Sequence, residues 1–330
     1  MPYFNTDVPE LNGFDTGICL ANLALLEERQ SRLSESLLAQ LEELTDAIIT
    51  DSGGDSDTLD SILLSLLWHN EEGEPFPLPP SVLPVNRNAL TRMVPPVGLH
   101  ARLSLYTLLE KRLLRQKCDV KPFSHPVSGT AKGRVAYMPS TFADKAFLRL
   151  STCIPSPRAS ATAGFVDACE EVQSGLCQYC ILPVENSHSG RLTAFTRLIL
   201  RYRLRIVAVC DLEDGSAQGL VTRFALLTAS DEDAPFPAAP FTEGIPLLEI
   251  LHRGGATTLG ELLAAAEFCG LTTVSIHTLP PADGDLSEDI SATVSDCVFS
   301  AEGAELPAFY RYLSLEASED LCAGLYTVIS

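Results

Sequence analysis

Glu185, Asn186, Ser187, His188 and Ser189 stand in a row, closed by Gly190 and preceded by the apolar run Cys180-Ile181-Leu182 and by Pro183. A carboxylate, an amide, two hydroxyls and an imidazole at the end of a strand-like run can exchange protons and hydrogen bonds with a ligand. The same residues also make a solvated turn that caps the next helix. Arg191, Arg197, Arg201, Arg203 and Arg205 crowd the stretch that follows. They could hold an anionic metabolite or line a solvated helix face. Cys177 and Cys180 form the one close cysteine pair. A metal site would need a second such pair, and a redox pair normally opens a helix, so this pair reads as structural.

These residues need elements to hold them. Residues 1–122 are leucine-rich and helical in pattern. Leu23, Leu26, Leu33, Leu37, Leu41, Leu44 and Ile48 share one helix face. DSGGDSD at 51–57 breaks that helix, and Asp57 or Thr58 can cap a second one through SILLSLLW. EEGEPFPLPPSVLP is too proline-rich for helix. A third helix starts near Gly98, with Leu99, Leu103, Tyr106, Leu109 and Leu113 on one side.

The pattern then changes. GRVAYMP, CQYCILPV, LRIVAVC and TRFALLTAS read as strands, while FADKAFLRL, FVDACEEVQSG and LTAFTRLILRY read as helices. Such alternation predicts an α/β parallel sheet over 130–231. An acidic, proline-rich linker covers 231–244. From 243 to 330 the order is strand, helix, strand, strand, helix, strand: a βαββαβ unit of ferredoxin-like type.

The chain has 330 residues, enough for two or three cores, and a net charge of −20. That charge argues against nucleic-acid and membrane partners. No apolar run reaches the roughly 20 residues that span a bilayer, and no secretory signal opens the chain, so a cytoplasmic location is expected. Ten cysteines without a disulfide-like framework fit reduced, buried thiols.

The middle region resembles prephenate dehydratase. VAYMPSTFADKA stands at that family's strand and substrate loop, and FVDACEEVQSGLCQYCILPVENSHSG matches its F-x-x-A…V-x-x-G…PIENS-x-x-G run. Thr222-Arg223-Phe224 reproduces its Thr-Arg-Phe signature. The resemblance covers about residues 130–330 and implies one periplasmic-binding-protein-like α/β lobe followed by a regulatory ACT domain that binds phenylalanine. It places Glu185, Asn186 and Ser187 in the cleft for prephenate, and Thr222 at the threonine that helps expel the ring hydroxyl as carbon dioxide leaves. Ser140, Thr141, Ser189, Gly190, Arg223 and Phe224 would touch substrate. Gly255, Ala256, His277 and Thr278 would touch an effector, with the Gly254-Gly255-Ala256 turn offering N–H groups to an anion. The helical region is similar to the chorismate mutase domain fused before some dehydratases, with Arg29 and Gln116 at matching positions.

Three departures bear on activity. The family's second lobe should follow the LRIVAVC strand, yet only the eleven residues Asp211 to Val221 separate Cys210 from Thr222. The substrate loop is shortened to Met138-Pro139-Ser140-Thr141. The ACT effector signature Glu-Ser-Arg-Pro reads His277-Thr278-Leu279-Pro280. The mutase pattern also lacks its first arginine and its lysine. The expectation is a degenerate, regulatory or non-catalytic relative in phenylalanine metabolism, needing no cofactor. It would form a homodimer and bind prephenate, phenylalanine or a catalytic paralogue. The alternatives are an enzyme whose site a dimer partner completes, and a structural interaction module.

Overall fold

The computed structural model describes residues 16–53, 55–67, 98–115, 132–213, 219–230, 236–237, 243–255, 257–279 and 293–329. Gln116, Ala256 and the proline-rich 71–84 stretch lie outside them, and Arg29 lies where the backbone alone is described.

Three helices come first: α1 (Thr16–Ser52), α2 (Ser56–Leu67) and α3 (Leu99–Arg115). Gly53 turns left-handed at φ 61 and stops α1. The cap of α2 is Asp55 rather than Asp57 or Thr58. Its carboxylate accepts from the Thr58 N–H at 2.9 Å and from the Thr58 hydroxyl at 2.6 Å. Asp57, two positions further on, lies inside the helix, where its carboxylate cannot cap those donors. Leu41 and Ile48 of the leucine stripe are buried, but Leu37 is exposed; among the residues of α1 whose side chains are described, the core contacts start at Leu41. In α3, Leu103, Tyr106, Leu109 and Leu113 are buried as the spacing requires.

The chain continues as β1 (Arg134–Tyr137), α4 (Thr141–Leu150), β2 (Arg158–Ala161), α5 (Phe165–Gln173), β3 (Tyr179–Asn186), β4 (Gly190–Arg191), α6 (Thr193–Tyr202), β5 (Leu204–Glu213) and β6 (Val221–Ala229). It ends as β7 (Leu247–His252), α7 (Leu259–Phe268), β8 (Thr272–Leu279), β9 (Val294–Ser300), α8 (Leu306–Leu315), β10 (Leu321–Tyr326) and β11 (Val328–Ile329). The architecture is mixed α/β, built on one large sheet.

The sheet order is β2-β1-β3-β6-β5-β10-β7-β9-β8. β1 pairs in parallel with β2 and β3, but β6 runs antiparallel between β3 and β5. The expected all-parallel sheet is therefore mixed. The reason is chain length: Glu213 pairs directly with Val221, so β5 and β6 form a hairpin, and a parallel return would need a crossover of a dozen or more residues. The same hairpin leaves no room for a second lobe at this point. The last four long strands follow the order β10-β7-β9-β8 with antiparallel neighbours, the split βαβ arrangement expected for a ferredoxin-like unit.

The two halves of the sheet are joined through β5 and β10. Gly324 on β10 pairs in parallel with Ile206 on β5, and Val328 and Ile329 pair with Val209 and Cys210. α4 covers one face of the first half, in a core with Val135, Ala208, Phe224 and Leu226. α5 and α6 cover the other face. α7 and α8 lie on the second half, and α2 and α3 share their core. Arg102 reaches across that layer, donating from Nε and Nη2 to Glu316 at 2.9 and 2.7 Å, while the Tyr106 hydroxyl donates to the same carboxylate at 2.8 Å. Among the described residues no helix is long and apolar enough to cross a membrane.

Candidate functional site

The parallel strands β2, β1 and β3 all end on one edge of the sheet, the position where open α/β sheets bind ligands. The loop Met138–Ser140, the segment Thr162–Gly164, the hairpin Ser187–Ser189 and the start of β6 gather there. β3 does not stop at Pro183. It runs on to Asn186, with a register shift between Pro183 and Glu185. A bulge is a position that tolerates a residue without a backbone donor.

This register brings the two motifs together. Asn186 stands opposite Thr222, and Glu185 opposite Arg223, which in turn faces Asp211 on β5. Successive residues of a strand point to opposite faces. Asn186 and Thr222 therefore face one side of the sheet, while Glu185, Arg223 and Asp211 share the other.

The hydrogen bonds show how each group is engaged. The Asn186 amide donates to Thr222 Oγ1 at 3.3 Å, and its Oδ1 accepts from the His188 N–H at 2.8 Å. The Ser187 hydroxyl accepts from the Val221 N–H at 3.0 Å, while the Ser187 N–H donates to the Val221 carbonyl at 2.9 Å. Arg223 donates from Nε and Nη2 to the two Asp211 oxygens at 2.7 and 2.9 Å, and its Nη1 pairs with Glu185 at 3.0 Å. Asp211 and Glu185 raise the Arg223 pKa above its ordinary value, so it stays charged and occupied. Arg149 donates to the Asp211 carbonyl at 2.6 Å. Arg191, opposite Glu185 in the β3–β4 ladder, is buried against Glu249 and Asp296.

Ser140 and Thr141 start α4, both exposed. Ser140 Oγ accepts from the Ala143 N–H at 3.1 Å and so caps that helix. Ser189 and Gly190 lie in the hairpin, Gly190 with φ 72. Phe224 is buried on the α4 face and packs into the core.

The expected effector residues are scattered along the other half of the sheet. His277 and Thr278 lie on β8, the last strand of the sheet among the described residues, opposite Asp296 and Ser295. Leu279 is buried. Gly255 turns at φ 109, and a Cβ added there would come within 2.9 Å of Glu319 Cδ, so a carboxylate already lies against the turn. Asp320 accepts from the Arg253 N–H at 3.0 Å and pairs with His252 Nδ1 at 2.9 Å. Two acidic groups thus occupy the place where an anion would sit.

Cys177 precedes β3 and Cys180 lies within it, so the two do not point to opposite faces of one strand. Both thiols are buried in one core. Cys177 donates to Glu171 at 3.0 Å, and burial together with that carboxylate pushes its thiol up to about 11. No grouping of three or more His, Cys, Asp and Glu among the described residues could hold a metal ion.

Sequence reasoning missed three residues at this edge: Thr162 and Gly164, which open α5, and Asp211, which holds Arg223. The glycine just before an amphipathic helix was a readable sign of the first two. Asp211 carried no local sign.

No family model and no curated protein matches the chain. Among solved structures the chain is similar to the prephenate dehydratase of Streptococcus mutans, at 18% identity over 60% of this chain and 99% of that one, with a TM-score of 0.45. It is also similar to a prephenate dehydratase from Arthrobacter aurescens in complex with L-Phe, at 12% identity over 59% and 90% of the two chains and a TM-score of 0.42. A third likeness is to GqqA, described as a novel type of quorum quenching acylase, at 19% identity over 58% and 94% and a TM-score of 0.42.

Proposed function

We propose that this chain is a non-catalytic relative of the prephenate dehydratases, which serves aromatic amino acid metabolism by binding a dianionic pathway metabolite rather than by turning it over. The observation that supports a relative is the register itself. Glu185-Asn186-Ser187 and Thr222-Arg223, distant in sequence, lie side by side at the ligand-binding edge of the sheet.

The same geometry argues against catalysis. Expelling a hydroxyl together with carbon dioxide requires a hydrogen-bond donor at the leaving group and cations on the carboxylates. Arg223, next to Thr222 in sequence but on the opposite face of the sheet, is chelated by Asp211 and Glu185. Arg191 is buried and already paired with Glu249 and Asp296. Asn186 accepts a hydrogen bond from its own turn, and Ser187 accepts one from the Val221 N–H of β6. Each missing oxyanion donor costs roughly 3–4 kcal/mol of transition-state stabilisation. A dianion can still bind weakly by displacing one carboxylate from Arg223. Calorimetric titration with prephenate separates these roles: a saturating heat of binding without a sustained heat of reaction is expected, and a sustained reaction heat overturns the proposal.

A further inference from the structure

The β4 segment is only two residues long, yet it carries the most deeply buried arginine at the candidate edge. The Arg191 side chain is 5% exposed, and its Nη2 pairs with Glu249 on β7 and, at 2.7 Å, with Asp296 on β9. Both carboxylates belong to the ferredoxin-like half of the sheet, and both side chains are fully buried. The Tyr326 hydroxyl on β10 donates to Glu249 Oε2 at 2.6 Å. The guanidinium also stacks over Phe195 of α6 at 5.1 Å. We propose that Arg191, Glu249, Asp296 and Tyr326 form a proton-dependent latch that fastens the Glu185–Arg191 hairpin to the ferredoxin-like half of the sheet.

The charge count requires a proton. One guanidinium faces two carboxyl groups, and an unmatched charge in a buried site is strongly disfavoured. Glu249 has two donors, Arg191 and Tyr326, and is the natural carboxylate. Asp296 has the ion pair to Arg191 at one oxygen, and neither oxygen meets a donor in hydrogen-bonding geometry. Asp296 therefore holds the proton. Burial, and then the charge of Glu249, push its carboxyl well above the ordinary range.

The surrounding groups leave Asp296 as the titrating member. Burial opposes the charge of Arg191, but the Glu249 carboxylate and, once it ionises, Asp296 raise its pKa, so the guanidinium stays protonated. Burial and Glu249 keep Tyr326 neutral, and burial keeps the neighbouring Cys297 thiol neutral at about 12. Glu185 lies beyond Arg191 on β3, and α6 offers the Phe195 ring rather than a charge. His277 stands opposite Asp296 on β8, half-buried on the same face.

The sign follows from the direction of the shift. Because the folded pKa of Asp296 is raised, its contribution is present in full below the ordinary aspartate value. It erodes as pH climbs above that value, and it is gone once pH passes the raised folded value. Loss of the proton leaves a net negative buried cluster, and admitting water by freeing the hairpin relieves it. Ser187 and Ser189, carried on the same hairpin, then loosen with it. The latch needs no ligand, so it stands or falls separately from metabolite binding.

Hydrogen exchange of the full chain, read as protection factors over a series from mildly acid to alkaline pH, tests it. Hairpin amides 187–191 should lose protection by roughly tenfold per pH unit as pH climbs from the ordinary aspartate value towards the raised folded value, and level off beyond it, while β5 amides stay protected. Asp296→Asn should make hairpin protection independent of pH, and Arg191→Gln should lower it at every pH. Flat wild-type hairpin protection, an unchanged pH response in Asp296→Asn, or parallel loss in β5 overturns the latch. If the variants fail to fold, the wild-type infrared spectrum decides. A carboxylic-acid C=O band that disappears over the pH span in which the hairpin loosens supports the latch, and its absence while the hairpin is protected overturns it.

Discussion

Removing Glu316 should cost the protein more than removing any exposed charge. Its carboxylate is 1% exposed and receives two hydrogen bonds from Arg102 and one from Tyr106. Those three bonds tie α3 to the C-terminal end of α8, so they link the leading helices to the ferredoxin-like half. Glu316→Ala takes from the buried Arg102 guanidinium its two bonds to this carboxylate, and from the Tyr106 phenol its acceptor. Breaking one side of such a pair costs about 3–5 kcal/mol, a large share of the 5–15 kcal/mol by which typical domains are stable. At roughly 2–4 °C per kcal/mol for a chain beyond small-domain size, the midpoint should fall by on the order of 10 °C. Replacing the whole network, with Arg102→Met, Tyr106→Phe and Glu316→Leu together, should restore most of that loss, because packed apolar groups substitute for buried ion pairs at little cost. Circular-dichroism melts of the single and triple variants measure both effects. A loss under about 1 kcal/mol for Glu316→Ala, the value of an exposed pair, would refute the reasoning and show the network to be wet.

Two further outcomes follow from the joints and turns. A Cβ on Gly324 would lie 3.0 Å from both the carbonyl carbon and the Cβ of Ile206, so Gly324→Ala must strain the β10–β5 seam. Overpacking of this kind costs about 1–3 kcal/mol, measurable by urea unfolding, and a neutral result would mean that the seam is loose. Phenylalanine should bind weakly, because Glu319 lies against the Gly255 turn and Asp320 already holds the Arg253 N–H. Calorimetry should show tighter binding for Glu319→Gln, and low-micromolar binding by the wild type would contradict this.

Much of the fold was legible, and the misses share a cause. The leucine spacing of α3 and the order of the βαββαβ unit depend on local periodicity, which sequence carries directly. β2 escaped notice because Arg158-Ala159-Ser160-Ala161 is a largely exposed edge strand with no apolar alternation. The direction of β6 depends on the length of its connection, a sign that was present but outweighed by strand–helix alternation. The motif residues were visible as types, but their engagement was not. Arg223 meets Asp211 through the register of the β5–β6 hairpin, and Arg191 meets Glu249 and Asp296 through contacts between strands far apart in sequence, which no local pattern encodes. The expected substrate role of Ser140 illustrates the remaining ambiguity, since a serine before a helix serves a cap as well as it serves a ligand.

Arg223 stands at the candidate edge with its guanidinium already held by Asp211 and Glu185. Calorimetric titration of prephenate into the full chain, alongside Asp211→Asn, tests this most directly. The wild type should show weak, saturating heat and no sustained heat of reaction. Asp211→Asn frees one charge-assisted contact, worth about 1.5–3 kcal/mol, and should bind roughly one to two decades more tightly. A sustained reaction heat that vanishes in Thr222→Ala would contradict the account and make the chain an enzyme, and a complete absence of binding in Asp211→Asn would leave only a shared fold.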